Sequence, residues 1–311
     1  MGSIFTLSIV QSALELGLIY SLVALALFIS FTILNIADLS TDGCFTLGCS
    51  VCAMVTIAGH PVLALFAAMG AGICSGFITA FLQTRMGIES ILAGIIFNTG
   101  LYTINIAVMG FASNVNLFRC DTIFGMAKDA IGGDWYKILV VAVIVILVGI
   151  VLSVFLNTRL GLSIRATGDN PSMVRASSIN PVVTVTVGLC VANAMTALSG
   201  AILAQYQKSC DINLGTGMVT IALASLIIGE SIIGKGSMLH RVCGVVLGSC
   251  LYRFLVAVAL RMSIPAECLK LVSAIIVAVA IAFPYMKKLA RFYSQRRKAV
   301  SENNRGGDGT C

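Results

Sequence analysis

Long uninterrupted apolar runs constrain this chain more than any other feature. Residues 138–155 contain no charged side chain and only one hydroxyl, at Ser153. A helix crossing the hydrocarbon core of a bilayer needs ~20 mostly apolar residues. A surface helix of a soluble domain needs a polar stripe that this run lacks. The whole chain follows the same rule, with 58% hydrophobic and 11% charged residues and a mean hydropathy of +1.00. A soluble domain carries about 25% charged residues.

Nine spans are predicted, at residues 10–34, 45–58, 61–82, 91–109, 138–155, 182–204, 218–233, 242–260 and 269–283. The number becomes eight or ten if a short run is re-entrant or a long one is broken. The predicted fold class is an all-α polytopic membrane protein. Residues 1–288 form one transmembrane domain. Residues 289–311 form a basic tail whose composition cannot bury a core. Residues 1–12 hold no Lys or Arg, so no basic signal-peptide region is expected there.

The net charge of +7 is a matter of topology, and nucleic acid is not an expected partner. With the tail placed inside, that side collects thirteen Lys and Arg, including Arg85, Arg159, Arg165, Arg175 and Arg241, against six on the other side. Positive connections stay cytoplasmic, so the C-terminus is expected in the cytoplasm. The basic cluster from Lys287 to Lys298 is expected to meet anionic membrane lipid.

Cys49 and Cys52 form a C-x-x-C without a second pair, inside an apolar run. They read as small apolar filler. No set of residues has metal-ligand spacing, and His60 and His240 are the two histidines. No phosphate-binding G-x-x-x-x-G-K-[ST] loop occurs. Gly234-Lys235-Gly236-Ser237 is faintly similar, but its upstream glycine spacing is wrong and no strand is expected before it.

One connection, 158–180, is long and patterned. Gly168-Asp169-Asn170-Pro171 is a helix start, with Asp169 or Asn170 as cap and proline at the first helical position. About two turns should follow to Ser177, and Pro181 should restart a span. A short helix along the cytoplasmic membrane surface is expected.

The run Thr158-Arg159-x-Gly161-x-x-Ile164-Arg165-Ala166-x-Gly168-x-Asn170, with Ser178-Ile179-Asn180, resembles the coupling loop of ABC importer permeases. The subgroup is the one that includes branched-chain amino acid and ribose permeases. The segment from Leu34 to Gly48, and Ile91 to Ile95 with Leu101 to Asn105, resemble a bacterial branch associated with aromatic amino acid uptake. The resemblance implies a multi-pass protein of the bacterial inner membrane that moves a small solute by alternating access. It implies partner ATPase subunits that hold ATP and magnesium, an extracytoplasmic substrate-binding protein, and a second permease copy. This chain itself would hold no cofactor and would not be an enzyme. Residues 170–177 would dock on the ATPase, so Asp169, Asn170, Pro171, Met173, Val174 and Arg175 become candidate coupling residues. Arg165 and Gly168 would shape the approach. The solute would be an amino acid, possibly aromatic, or else a sugar or nucleoside.

Polar groups at membrane depth are functional suspects. Asn98, Thr99, Thr103, Asn105, Asn193 and Thr196 either bond between helices or line a substrate path. Asp38 and Asp42 flank the start of the second span. They either cap it at a solvated interface or, by the resemblance, gate the path. Glu230 either pairs with Lys235 or Arg241 or sits at the inner gate. Glu15 and Arg253 should lie at similar depth and are a candidate charge pair, or a gate. Gly70, Gly72, Gly76, Gly244 and Gly248 should allow close helix packing. Segments 38–48 and 211–220 echo each other, each with an aspartate, small polar residues and glycine before a short span. Paired halves are common in transporters. An ion-coupled carrier would instead concentrate carboxylates near the midplane, and a membrane scaffold would leave the 158–180 loop unexplained.

Overall fold

The computed structural model describes residues 7–261 except 134 and 235, with isolated positions between 271 and 282. The predicted ninth span and the 289–311 tail lie outside the described residues, those isolated positions apart. The eight other predicted spans all fall on helices. Among the described residues, six helices are long and apolar enough to cross a membrane, and two apolar ones are shorter.

The chain opens with α1 (Leu7–Leu27), which continues into a π-helical turn (Phe28–Ile33). After it come α2 (Thr41–Ile57), α3 (Pro61–Thr84) and α4 (Ser90–Val108). A short strand β1 (Asn114–Asn116), a nine-residue helix α5 (Ile123–Ile131) and the long α6 (Tyr136–Asn157) come next. Two further helices, α7 (Arg159–Asp169) and α8 (Pro171–Ala176), precede α9 (Pro181–Gln207). Strand β2 (Ser209–Asp211), α10 (Met218–Ile233) and α11 (Met238–Arg261) complete the described part.

Helices α1 and α9 are buried for most of their length, whereas α3, α4, α6 and α11 leave a wide apolar surface open. That open surface suits lipid, where an apolar side chain loses nothing by exposure. Association between helices in lipid has no hydrophobic drive, so close backbone approach must supply it. A Cβ added at Gly76 of α3 would meet Leu189 O of α9 at 2.5 Å. Gly248 of α11 stands against Ser225 and Gly229 of α10 in the same way. The G-x-x-x-G reading of Gly244 and Gly248 therefore marks a real contact, while Gly70 faces open space.

The connections sort to two ends. β1 and β2 pair antiparallel, with Val115 opposite Cys210, so the 110–135 and 208–217 connections share one end. The first of these, without motif in sequence, also carries α5, capped by Thr122 Oγ1 accepting the Gly125 N–H. At the other end, Gly168 of α7 rests on the Ile33 carbonyl, and the Arg241 guanidinium lies 4.8 Å from the Phe28 ring centre. The 158–180 loop, the end of α1 and the α10–α11 turn thus gather together.

Gly76→Leu should force α3 off α9. Overpacking of this kind costs about 1–3 kcal/mol. The expected outcome is a lower unfolding midpoint in detergent, read by fluorescence-detected size exclusion, with Gly70→Leu near wild type.

Candidate functional site

The two short helices start inside the bundle, and the end of α1 explains one of them. Leu34 N–H donates to Ile29 O at 2.9 Å and Ile36 N–H to Ser30 O at 2.8 Å, wider spacings than an α-helix allows. Asn35 then takes a positive φ of 57°, a conformation Asn tolerates better than most residues. The chain runs without helix from there to Thr41. Thiols dock the next helix on α9, with Cys44 Sγ donating to Asn193 O at 3.3 Å, Cys49 Sγ to Gly200 O at 3.0 Å and Cys52 Sγ to Ala201 O at 3.4 Å. Both helices therefore run in parallel. At 1.5 Å per residue, α2 begins ~14 Å along an α9 that is ~40 Å long. The cysteines are apolar filler with a bonding role to neighbouring carbonyls.

Asp38 lies in the non-helical segment and is 2% exposed. Its Oδ1 accepts the Ser40 N–H at 2.9 Å and the Ser40 hydroxyl at 2.6 Å, and its Oδ2 accepts Asn193 Nδ2–H at 3.0 Å. Asp42 reaches further. Its Oδ2 accepts the Gly217 N–H and its Oδ1 the Val219 N–H, both at 2.9 Å. It satisfies free N–H groups at the start of α10, although it belongs to α2. The expected solvated cap of the second span is therefore corrected. Asp38 is buried beside α9, and Asp42 caps a different helix. The echo between 38–48 and 211–220 also becomes local geometry. Asp211 Oδ1 accepts the Asn213 N–H at 2.8 Å, the same two-residue reach that Asp38 makes to Ser40.

A cavity of about 200 Å³ opens where these starts meet. It is lined by Asp42, Gly43 and Thr46 of α2, by Asn98, Thr99, Tyr102 and Asn105 of α4, and by Ile212, Asn213, Gly215 and Thr216. Asn105 Nδ2 donates to Gly43 O at 3.1 Å, while its buried Oδ1 has no partner among the described residues. Thr99 bonds back to Ile95 O at 2.9 Å. Four predicted path residues, Asp42, Asn98, Thr99 and Asn105, thus come together. Asn193 joins Asp38 in a separate buried pair. Sequence reasoning missed Tyr102 and Thr46. Tyr102 was within reach, because residues 98, 102 and 105 share one helix face.

The loop at the other end is more structured than expected. Thr158 Oγ1 accepts the Gly161 N–H and starts α7, a helix absent from the sequence reading. Asp169 ends that helix, so Asn170 is the cap of α8, accepting the Ser172 and Met173 N–H groups at 3.1 Å. Pro171 takes the first helical position of α8 and Pro181 that of α9, as read from sequence. Arg165 is half-buried, while Met173 and Arg175 are exposed. Val174 is 1% exposed, so it holds α8 to the body and cannot be a docking contact. A Cβ at Gly168 would overlap the Ile33 carbonyl oxygen. Thr167 and Thr184 bond through their hydroxyls at 2.8 Å, tying α7 to α9.

The expected Glu15–Arg253 pair does not form. Tyr206 OH donates to Glu15 Oε2 at 2.6 Å and Gln11 Nε2 to Oε1 at 3.2 Å. The Arg253 guanidinium lies over the Tyr20 ring, 3.8 Å from its centre, a cation–π contact. Equal depth put the charges level, but Glu15 faces α9. Glu230 meets Arg241 at 2.8 Å, the partner anticipated, and does not line the cavity.

A bundle of apolar helices in which two short ones start inside, around a polar cavity, is the build of a membrane permease. A profile described as "Branched-chain amino acid transport system / permease component" matches residues 9–282. The chain belongs to that family of ABC-transporter permeases. It is 32% identical over 272 residues to a "Tyrosine transport system permease protein" of Clostridioides difficile (strain R20291), covering 87% of this chain and 90% of the relative. It is 28% identical over 280 residues to an uncharacterized protein of Rickettsia prowazekii (strain Madrid E), covering 89% and 98%. Among solved structures, a metal-chelate type ABC transporter in an inward-facing conformation matches with a TM-score of 0.49 and 16% identity, over 90% of this chain and 85% of that one.

Asn193→Leu removes the side-chain donor to Asp38 Oδ2 and leaves a buried carboxylate oxygen unpaired. Loss of a bond to a buried charged group costs about 1–3 kcal/mol or more. The expected outcome is a clear drop in the thermal midpoint of the purified subunit, with Asn193→Gln recovering part of it.

Proposed function

We propose that this chain forms half of the path of an ATP-driven importer for an amino acid, with an aromatic one favoured. A second copy completes the path, two ATPase subunits bind the 169–177 surface, and an extracytoplasmic binding protein delivers the solute. The end bearing the 158–180 loop faces the bacterial cytoplasm. ATP and magnesium reside in the ATPases.

The observation that carries the reading is the seat of Gly168 on the Ile33 carbonyl. A push on α8 is received by α7, and α7 bears on the π turn that ends α1. That turn leads into the non-helical segment that begins α2. Asp42 of α2 holds the start of α10, and Gly43 walls the cavity. A displacement at the loop therefore has a continuous packed route to the cavity. The tyrosine transport relative and the sequence resemblance both favour an aromatic amino acid over a sugar or nucleoside.

One observation favours a second reading. Asp38 and Asp42 stand partway along α9, the depth at which an ion-coupled carrier keeps its carboxylates. Both are held by hydrogen bonds rather than left free, and the family is that of ABC permeases.

Met173→Glu or Arg175→Glu should weaken association with the ATPase by about tenfold or more, equivalent to ~1.4 kcal/mol of interface energy. Both residues are exposed, so membrane insertion should persist. Pull-down and ATP-coupled uptake in proteoliposomes check this, and uptake that survives without any ATPase would sink the reading. Gly168→Val should separate the steps. ATPase binding and hydrolysis should remain while uptake falls several-fold, because the seat on Ile33 is lost.

A further inference from the structure

The geometry points to the cavity at the start of α2 as the subsite for the ammonium group of the carried solute, with Asp42 as counter-charge and Asn105 Oδ1 as a directed acceptor. This rests on the permease reading above and names what the site takes.

The sign of the site follows from its donors and acceptors. A helix start inside a membrane ordinarily favours an anion. At α10 that role is already filled, because Asp42 occupies the Gly217 and Val219 N–H groups. An incoming carboxylate would find those donors taken and a fixed carboxylate beside it. Two backbone bonds use part of the Asp42 acceptor capacity, since an ionised carboxylate offers about four lone-pair positions. No Lys, Arg or His lines the cavity among the described residues. A negative charge there lacks a neighbouring cation, and at membrane depth that is costly.

Asn105 supplies the second, independent observation. Its side chain is 1% exposed. The bond from Nδ2 to Gly43 O fixes the orientation of the amide, because a carbonyl can be met by the amino side alone. Oδ1 is then left as a buried acceptor with no donor among the described residues. Buried acceptors are rarely left so. An ammonium group carries three donors and no acceptor, and so complements Asp42 and Asn105 together. The remainder of an aromatic amino acid would extend toward Tyr102, which is 52% exposed at the rim.

The test uses the complex of the permease with its ATPase subunits, without binding protein, in detergent at neutral pH. Labelled L-tyrosine is the probe. Tyramine keeps the amine and lacks the carboxylate, and 3-(4-hydroxyphenyl)propionate keeps the carboxylate and lacks the amine. Tyramine is expected to compete with tyrosine, and the propionate is not. Asn105→Leu is expected to weaken tyrosine binding about tenfold or more, the scale of one lost directed contact. Asp42→Asn should act in the same direction, but Asp42 also caps α10, so Asn105→Leu with an unchanged thermal midpoint carries the result. Competition by the propionate equal to that of tyramine overturns the ammonium subsite and leaves the permease reading standing. So does unchanged binding in Asn105→Leu. The same holds for a complete transporter that takes up tyrosine while its permease–ATPase complex binds none of the three. Absence of ATP-dependent amino acid uptake by the complete transporter overturns the permease reading itself.

Discussion

The carboxylate of Asp42 on the first N–H groups of α10 is the contact that makes the rest of the site possible. Backbone polar groups in a bilayer core must be satisfied within the protein. A helix that begins there exposes free N–H groups that need acceptors. Asp42 meets two of them at 2.9 Å, and Thr46 Oγ1 meets the Gly215 N–H at 3.1 Å. Without those acceptors the 212–217 segment would have no reason to stay non-helical inside the bundle. The cavity exists because that segment and the start of α2 decline to be helix at the same place.

A comparable economy operates at the end of α1. The π turn widens the helix and the positive φ of Asn35 reverses its course. π-helical turns recur at functional positions because they store an irregularity that neighbours must stabilise. Here α7 and α9 do so. Gly168 admits the Ile33 carbonyl, and Leu34 packs where Gly188 leaves room. The irregular turn is thus held between two elements that belong to the 158–180 loop or follow it directly.

Much of this was legible, and the boundary is physical. Spans, the Asn170 cap and both prolines depend on residues a few positions apart, so a sequence states them directly. α7 was missed because Arg159–Asp169 mixes two glycines with alternating polar residues, a weak helix former that α1 and α9 hold in place by packing. The target of Asp42 lies 175 residues away in the chain, and no local pattern encodes it. Glu15 and Arg253 failed for another reason. Position along a helix gives depth, but the choice of partner depends on rotation about the axis. Glu15 turns to Tyr206 and Arg253 to Tyr20.

Packing in this bundle also explains why the cavity sits where it does. α2 and α9 approach so closely that Gly48 lies on the Ala197 backbone and Gly200 on Phe45, and three thiols bond across to α9 carbonyls. Such contacts leave no room for a solute. α4 comes close to the start of α2 and the segment before it at glycines, Gly94 against Leu39 and Gly43 against Asn98 and Leu101. At the level of Gly43, α4 presents Asn98, Tyr102 and Asn105, so the wall of the opening there is polar. That level is where the free ends of α2 and α10 already stand, so the opening and the polar groups that line it have a single origin in the broken helices.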